Sequence, residues 1–228
     1  MEKEQVRSRA WKLVRSERRT IAIEIGPGAE TIVRAPRRAP MEMIQKFIHE
    51  KQNWILRQQD RVRQRAEGLP AREYQSGERF FYLGRWYPLR LAAEGNEPLT
   101  FDGEFRLVEA RRHQGRALFE KWYGARAKAQ IPGRVLVWAE RMGLTYRTVR
   151  ISRARRRWGS CSLKGNLRFS WQLMMTPWFV IDGVIIHELA HLRIANHSKA
   201  FWQLVHRFCP DYASVRAWLR AHEALLIL

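Results

Sequence analysis

The sequence predicts an α+β protein, and three observations carry that prediction. Short apolar runs with alternating character, punctuated by Gly and Pro, fill much of the first 110 residues. A long helical stretch then covers roughly residues 112–142, and two more strand-like runs follow it. The last fifty-odd residues break into three helices, each with a start signal. The expected organisation is a β-rich N-terminal part over 1–110 with one inserted helix, then a compact helix–strands–helices unit over 111–228.

Taken in order, "TIAIEI" and "TIVRA" flank Gly26-Pro27-Gly28 and read as a hairpin. From Pro40 to about Ala66 the spacing turns helical, with Met43, Phe47, Trp54 and Leu56 set among charges. "RFFYLG", "RWYPLRLA" and "EFRLVEA" read as strands within 78–108. In the long helix, Pro132-Gly133 is expected to kink or divide the run, and Gly143 to stop it. "RTVRIS" and "NLRFSWQL" are strands joined through "WGSCSLKG", where Gly165-Asn166 turns the chain. Thr176 is placed to cap a helix with Pro177 as its first residue, running to about Ile194. That helix is apolar on almost every side and should be buried. Ser198 is placed to cap "KAFWQLVHRF", and Asp211 to cap "YASVRAWLRAHEALLIL".

Composition narrows the class of protein. With 46% hydrophobic residues and ten tryptophans the chain can form a sizeable core, which excludes a disordered protein. The charged start has no apolar signal region, and no stretch approaches the ~18 apolar residues of a membrane helix, so no membrane partner is expected. Only Cys161 and Cys209 occur, far apart, which suits a cytoplasmic location and argues against a cysteine-built metal site. Forty-two Lys and Arg against 22 acids give +20, a surface that attracts phosphates or nucleic acid. Six of the eleven residues from Arg147 to Arg157 are Arg and none is acidic. Whether that run faces the chemistry or is a solvated face, the sequence leaves open.

The chemistry is concentrated in "IIHELAHLRIANHSKAFW", residues 185–202. His187 and His191 stand four apart, about 40° round a helix, so both imidazoles share one face. Two neutral imidazoles so placed can bind Zn²⁺, and Glu188, about 100° round, can reach a water on the ion without ligating it. In that arrangement the metal lowers the water's pKa and the glutamate takes its proton. A catalytic site needs a third ligand. His197 is favoured, provided the helix ends before it, and Asn196 and Ser198 supply the break. Asp211 and Glu223 are the rivals, although Asp211 is well explained as a helix cap. An all-His site would also accept Ni²⁺, Co²⁺ or Mn²⁺. His49, His113, His206 and His222 lack paired spacing and read as surface or packing residues.

"RRWGSCSLKGNLRFSWQLMMTPWFVIDGVIIHELAHLRIANHSKAFWQLVHRFCPDY" resembles the signature of the YgjP-like metal-dependent hydrolases, relatives of the SprT-type zinc proteins and of compact zincin peptidases. W-G-S-C-S, H-E-L-x-H and N-H-S-x-x-F-W at these intervals are the discriminating part, and "RSERRTIAIEI", "VRAPRRAP" and "FYLGRWYPLRL" are similar to that family's front half. The resemblance implies a zincin-like fold, zinc on His187, His191 and His197, and water activation by Glu188. Gly183 departs from it, standing where such sequences often have an aromatic residue. The His spacing is similar to that of metzincins too, but Ile194 replaces their glycine and no methionine follows His197, so the chain is not one of them.

Three readings of the substrate follow. A peptide can pair with a strand edge beside the helix, with "NLRFS" and "RTVRIS" as candidates. A nucleoside triphosphate of the UTP type is the second, implied by some of the family and suited to an anion-binding wall at Arg155, Arg156, Arg157 and Trp158. The third is a nucleic-acid-associated protein whose zinc is secondary.

Overall fold

The computed structural model describes residues 11–26, 28–67, 72–153, 157–222, 225, 226 and 228. The chain divides into two compact units, Met1–Ala71 and Arg72–Leu228. This division falls earlier than the expected one at 110/111, and the reason is aromatic packing, given below.

In the first unit, β1 (Trp11–Ser16), β2 (Ala22–Ile25) and β3 (Thr31–Pro36) form a sheet in the order β1-β3-β2. The expected hairpin is the antiparallel β2–β3 pair, with Ile23 opposite Val33. Helix α1 (Met41–Glu50) lays Ile44 on Val33 and Ala35 of the sheet to make a small core. The single helix expected over 40–66 is two, since the chain breaks at Lys51 before α2 (Gln52–Glu67).

The second unit begins with β4 (Arg79–Tyr82), β5 (Arg85–Ala92), β6 (Leu99–Phe101) and β7 (Phe105–Val108), ordered β4-β5-β7-β6. Helix α3 (Gly115–Met142) lies against them and runs unbroken through Pro132. Phe80 stacks on Phe119 of α3 at 4.1 Å between ring centroids, and Phe105 meets Phe119 at 4.9 Å. These strands carry their apolar payload on α3, which is why they fold with the helices rather than with residues 1–71. As expected, Gly143 ends α3 in the left-handed conformation at φ 62°, with Leu144 N–H bonded to Ala139 O.

The β4–β5 hairpin anchors what comes next. Its two turn residues, Leu83 and Gly84, both have positive φ, at 48° and 77°, the pattern that matches strand twist in a two-residue loop. Leu83 N–H donates to Met174 O and Gly84 N–H to Met175 O. A Cβ on Gly84 would stand 2.7 Å from Pro177 Cβ, so the hairpin tip is seated against the start of the next helix.

That helix, α4 (Trp178–Ala190), follows a second small sheet of β8 (Thr148–Ser152), β9 (Gly159–Cys161) and β10 (Asn166–Ser170) and a 3₁₀ turn over Trp171–Met175. The order is β8-β10-β9, with β10 parallel to β8 and antiparallel to β9. "NLRFS" is therefore the central strand, bonded on both sides, and has no edge to offer a peptide. Thr176 does not cap α4, because its hydroxyl donates back to Leu173 O at 2.8 Å; Pro177 takes the N-cap position. The helix is buried as its composition demands, through Val180, Ile181, Val184, Ile185, Ile186, Leu189 and Ala190. Two short helices close the unit, α5 (Lys199–Phe208) and α6 (Tyr212–His222). Ser198 Oγ accepts from Phe201 N–H and Asp211 Oδ1 from Ser214 N–H, the two caps read from the sequence. No helix among the described residues is long and apolar enough to cross a membrane.

Candidate metal centre

Helix α4 ends at Ala190, with His191 as its C-cap, about one turn sooner than its apolar run suggested. The early stop turns the chain back, through Ile194 and Asn196, before α5 begins. His197 thereby returns to the face that holds His187 and His191. The three rings lie 4.7–5.0 Å apart by centroid, and one nitrogen from each lies within 4.8 Å of the others. Nε2 of His197 and Nε2 of His187 are 3.1 Å apart. Two nitrogens bound at ~2.05 Å to one tetrahedral ion are separated by about 3.3 Å, so this donor set fits a small divalent metal.

The outer nitrogens are held too. His191 Nδ1 lies 3.1 Å from Ile194 O, a carbonyl that can only accept. The ring proton is therefore on Nδ1, and the Nε2 lone pair is free for an ion. His187 Nδ1 lies 3.1 Å from the hydroxyl of Tyr212, which is buried and stacks on the His187 ring at 5.6 Å and 14°. With Nε2 directed at its histidine neighbours, His187 donates from Nδ1 to the Tyr212 oxygen.

A glycine sets that contact. Gly183 is one turn before His187 on α4, and a Cβ there would stand 2.6 Å from Val215 Cγ2 of α6. The bare backbone lets α6 come close enough for Tyr212, three residues before Val215, to reach His187. Packing of α6 thus explains Gly183 where an aromatic residue was the family expectation.

Glu188 points to another neighbour. A Cβ on Gly159 of β9 would lie 2.5 Å from Glu188 Cγ and 2.7 Å from Oε1, so the carboxylate side chain occupies the space a side chain at 159 would need. The Cys161 backbone N–H donates to the carboxylate. Glu188 is 7% exposed, and burial pushes its pKa up to about 7, partly opposed by the charge of Arg157 and by that N–H. Burial, then His191, His197 and Arg216, pushes His187 down to about 4. Burial likewise lowers His191 and raises Tyr212 to about 12. Neutral imidazoles beside a carboxyl that titrates near neutrality are what ligands and a base require.

Of the predicted arginine wall, Arg157 acts on Glu188 through its charge, and Trp158 packs at the edge of the core. Arg155 and Arg156 lie outside the described residues, as does Glu223. Asp211 serves as the α6 cap. Sequence reasoning missed Tyr212 and Gly159, and singled out Gly183 only as a departure from the family pattern. "WGSCS" was in view as part of the family signature, but the residue that matters in it is the glycine, which carries no chemistry of its own.

A histidine-lined centre with a buried carboxyl beside it is the arrangement of a metal-dependent hydrolase. The family comparison agrees. The model described as YgjP-like, metallopeptidase domain, matches residues 19–222, and the chain belongs to this family. Among solved structures, the metallopeptidase zymogen of Pyrococcus abyssi abylysin is similar at 21% identity and a TM-score of 0.38, over 43% of this chain and 97% of that one. Among curated proteins no sequence matches.

Proposed function

We propose that the protein is a zinc-dependent peptidase in which His187, His191 and His197 hold the ion and Glu188 is the general base. The observation that carries this reading is the juxtaposition of three imidazole nitrogens, two of them 3.1 Å apart, with a buried carboxyl on the next residue of the same helix. When bound, the ion supplies Lewis acidity to the scissile carbonyl and acidifies the attacking water. The protein's own groups do the rest. Tyr212 and Ile194 O fix the ring protons of His187 and His191 on Nδ1. Glu188 accepts the water's proton at its carboxylate and returns it to the leaving amine. The Cys161 N–H and Gly159 hold that carboxylate in one place.

The β9 edge supports a peptide substrate. β9 flanks β10 on one side only, and it is the strand that carries Gly159 and Cys161 against Glu188. An extended chain pairing with this edge would lie alongside the base. Of the two edges, "RTVRIS" (β8) is on the far side of the sheet from Glu188.

The test is cleavage of a defined set of extended peptides by the zinc-loaded protein, with Glu188→Gln as the blank. Peptide products that require Glu188, together with stoichiometric zinc in both proteins, are the expected result. Turnover equal in the two proteins overturns the assignment of the base. A tightly held, stoichiometric zinc in His197→Ala overturns the third ligand.

A second reading, hydrolysis of a nucleoside triphosphate, is favoured by Arg157, whose charge reaches Glu188. Pyrophosphate release that needs Glu188, in a preparation inert towards peptides, would select it. Association with nucleic acid through the +20 surface is separable from both, because it would survive Glu188→Gln and weaken steeply with salt.

A further inference from the structure

The peptidase reading leaves unstated which peptides the centre would accept, and two arginines bear on that. Arg216 follows Tyr212 by four residues on α6, so the two share a helix face, and that face meets α4 at His187. Arg157 precedes Gly159 by two residues, at the entry to the strand that packs on Glu188. Both guanidinium groups are on exposed residues. Among the described residues, neither Arg157 nor Arg216 has a carboxylate at ion-pair distance.

Through Tyr212 and Gly159, two arginines from different elements stand next to the centre. His187 and Glu188 point about 100° apart round α4, and each has an arginine on its own side. A phosphate chain is normally clasped by donors that converge on one point. Cations on separate flanks suit negative charges distributed along an extended ligand. We propose that Arg157 and Arg216 make this centre selective for extended peptides with acidic side chains beside the scissile bond. The inference rests on the peptidase reading above. Arg157 would face the residues laid along β9, and Arg216 those that pass the α6 side.

The experiment has two arms, so that this inference and the peptidase reading can fail separately. In the first, zinc-loaded parent, Arg157→Glu and Arg216→Glu are assayed on three peptides of one length, flanked by Asp and Glu, by Asn and Gln, or by Lys. The parent should favour the acidic peptide, and each charge reversal should lower the acidic-to-neutral ratio of kcat/KM by about tenfold or more. An unchanged ratio overturns the proposal. In the second arm, fluorescence anisotropy measures binding of labelled peptides to the zinc-loaded Glu188→Gln protein, which does not turn over. Tighter binding of the acidic peptide, lost on charge reversal and weakened by salt, supports the proposal even where the parent cleaves nothing and the peptidase reading has failed. Equal binding of acidic and neutral peptides overturns it. So does a nucleoside triphosphate that binds more tightly than the acidic peptide and is released by both reversals.

Discussion

On its α6 side, helix α4 presents Gly183 and His187 one turn apart, and α6 answers with Val215 and Tyr212. On its β9 side it presents Glu188, and the strand answers with a bare glycine and a backbone N–H. Both contacts use a glycine to bring two elements unusually close. They differ in what is held. The α6 side orients an imidazole through an aromatic side chain, so on the proposed function it governs the ligand geometry. The β9 side holds a carboxyl through backbone alone, so on the proposed function it governs the base. Two adjacent residues of one helix, His187 and Glu188, therefore face two different supports, and substitutions on the two sides should fail in different ways.

The largest effect is expected on the β9 side. Glu188→Gln keeps the shape of the side chain but removes the proton acceptor, and turnover should fall by roughly 10²–10⁴-fold with zinc content unchanged. Parallel measurement of kcat and of metal stoichiometry checks it, and loss of zinc along with activity would erase the distinction between the sides. Gly159→Ala should follow, with a drop on the order of tenfold or more in kcat, since the new methyl would stand 2.5 Å from Glu188 Cγ. Its zinc affinity should match the parent's in a competition titration with a chelator.

The α6 side should show the reverse. Tyr212→Phe removes the oxygen that accepts from His187 Nδ1 while keeping the stacked ring, and zinc affinity should fall by about 10–100-fold. Activity at saturating zinc should change much less. A chelator titration that finds parent-like affinity would show that the hydroxyl does not orient the ligand.

The smallest effect is one of pH on the metal-free protein. His187 has its pKa lowered from 6.5 to about 4, so the stability it contributes is full above 6.5 and is lost as pH falls towards 4. Glu188 works in the opposite sense, being raised from 4.5 to about 7: its contribution is full below 4.5 and is lost as pH rises through 7. In the parent the two offset each other between about 4.5 and 6.5. Metal-free Glu188→Gln retains only the histidine contribution. It should lose stability more steeply than the parent on acidification through that window, and exceed the parent above pH 7, as read from urea midpoints.

The three-histidine cluster and the buried glutamate beside it were legible because the pattern is tied to a helical period. Two histidines four apart, with a glutamate after the first, can do little else in a buried helix, and the break that returns His197 was marked by Asn196 and Ser198. The α+β class and most elements were legible for the same reason, since period and caps are local. What was hidden is tertiary. Tyr212 is a buried aromatic residue at a helix start, indistinguishable by spacing from ordinary core. Gly159 and Gly183 matter only through what lies across from them. The strand order was equally out of reach: "NLRFS" reads as well for an edge as for a centre, and only pairing on both sides decides it. The boundary between units moved for a similar reason, because nothing local says that Phe80 and Phe105 stack on Phe119.

The central claim is that three imidazoles, and no other side chain, hold the ion beside Glu188. Zinc-edge X-ray absorption on the purified, zinc-loaded protein tests it most directly. The account predicts three histidine nitrogens at ~2.0–2.1 Å and no sulfur in the first coordination sphere. Scattering from sulfur at ~2.3 Å would bring Cys161 or Cys209 into the site, and a count of two histidines would remove His197. Either result would contradict it.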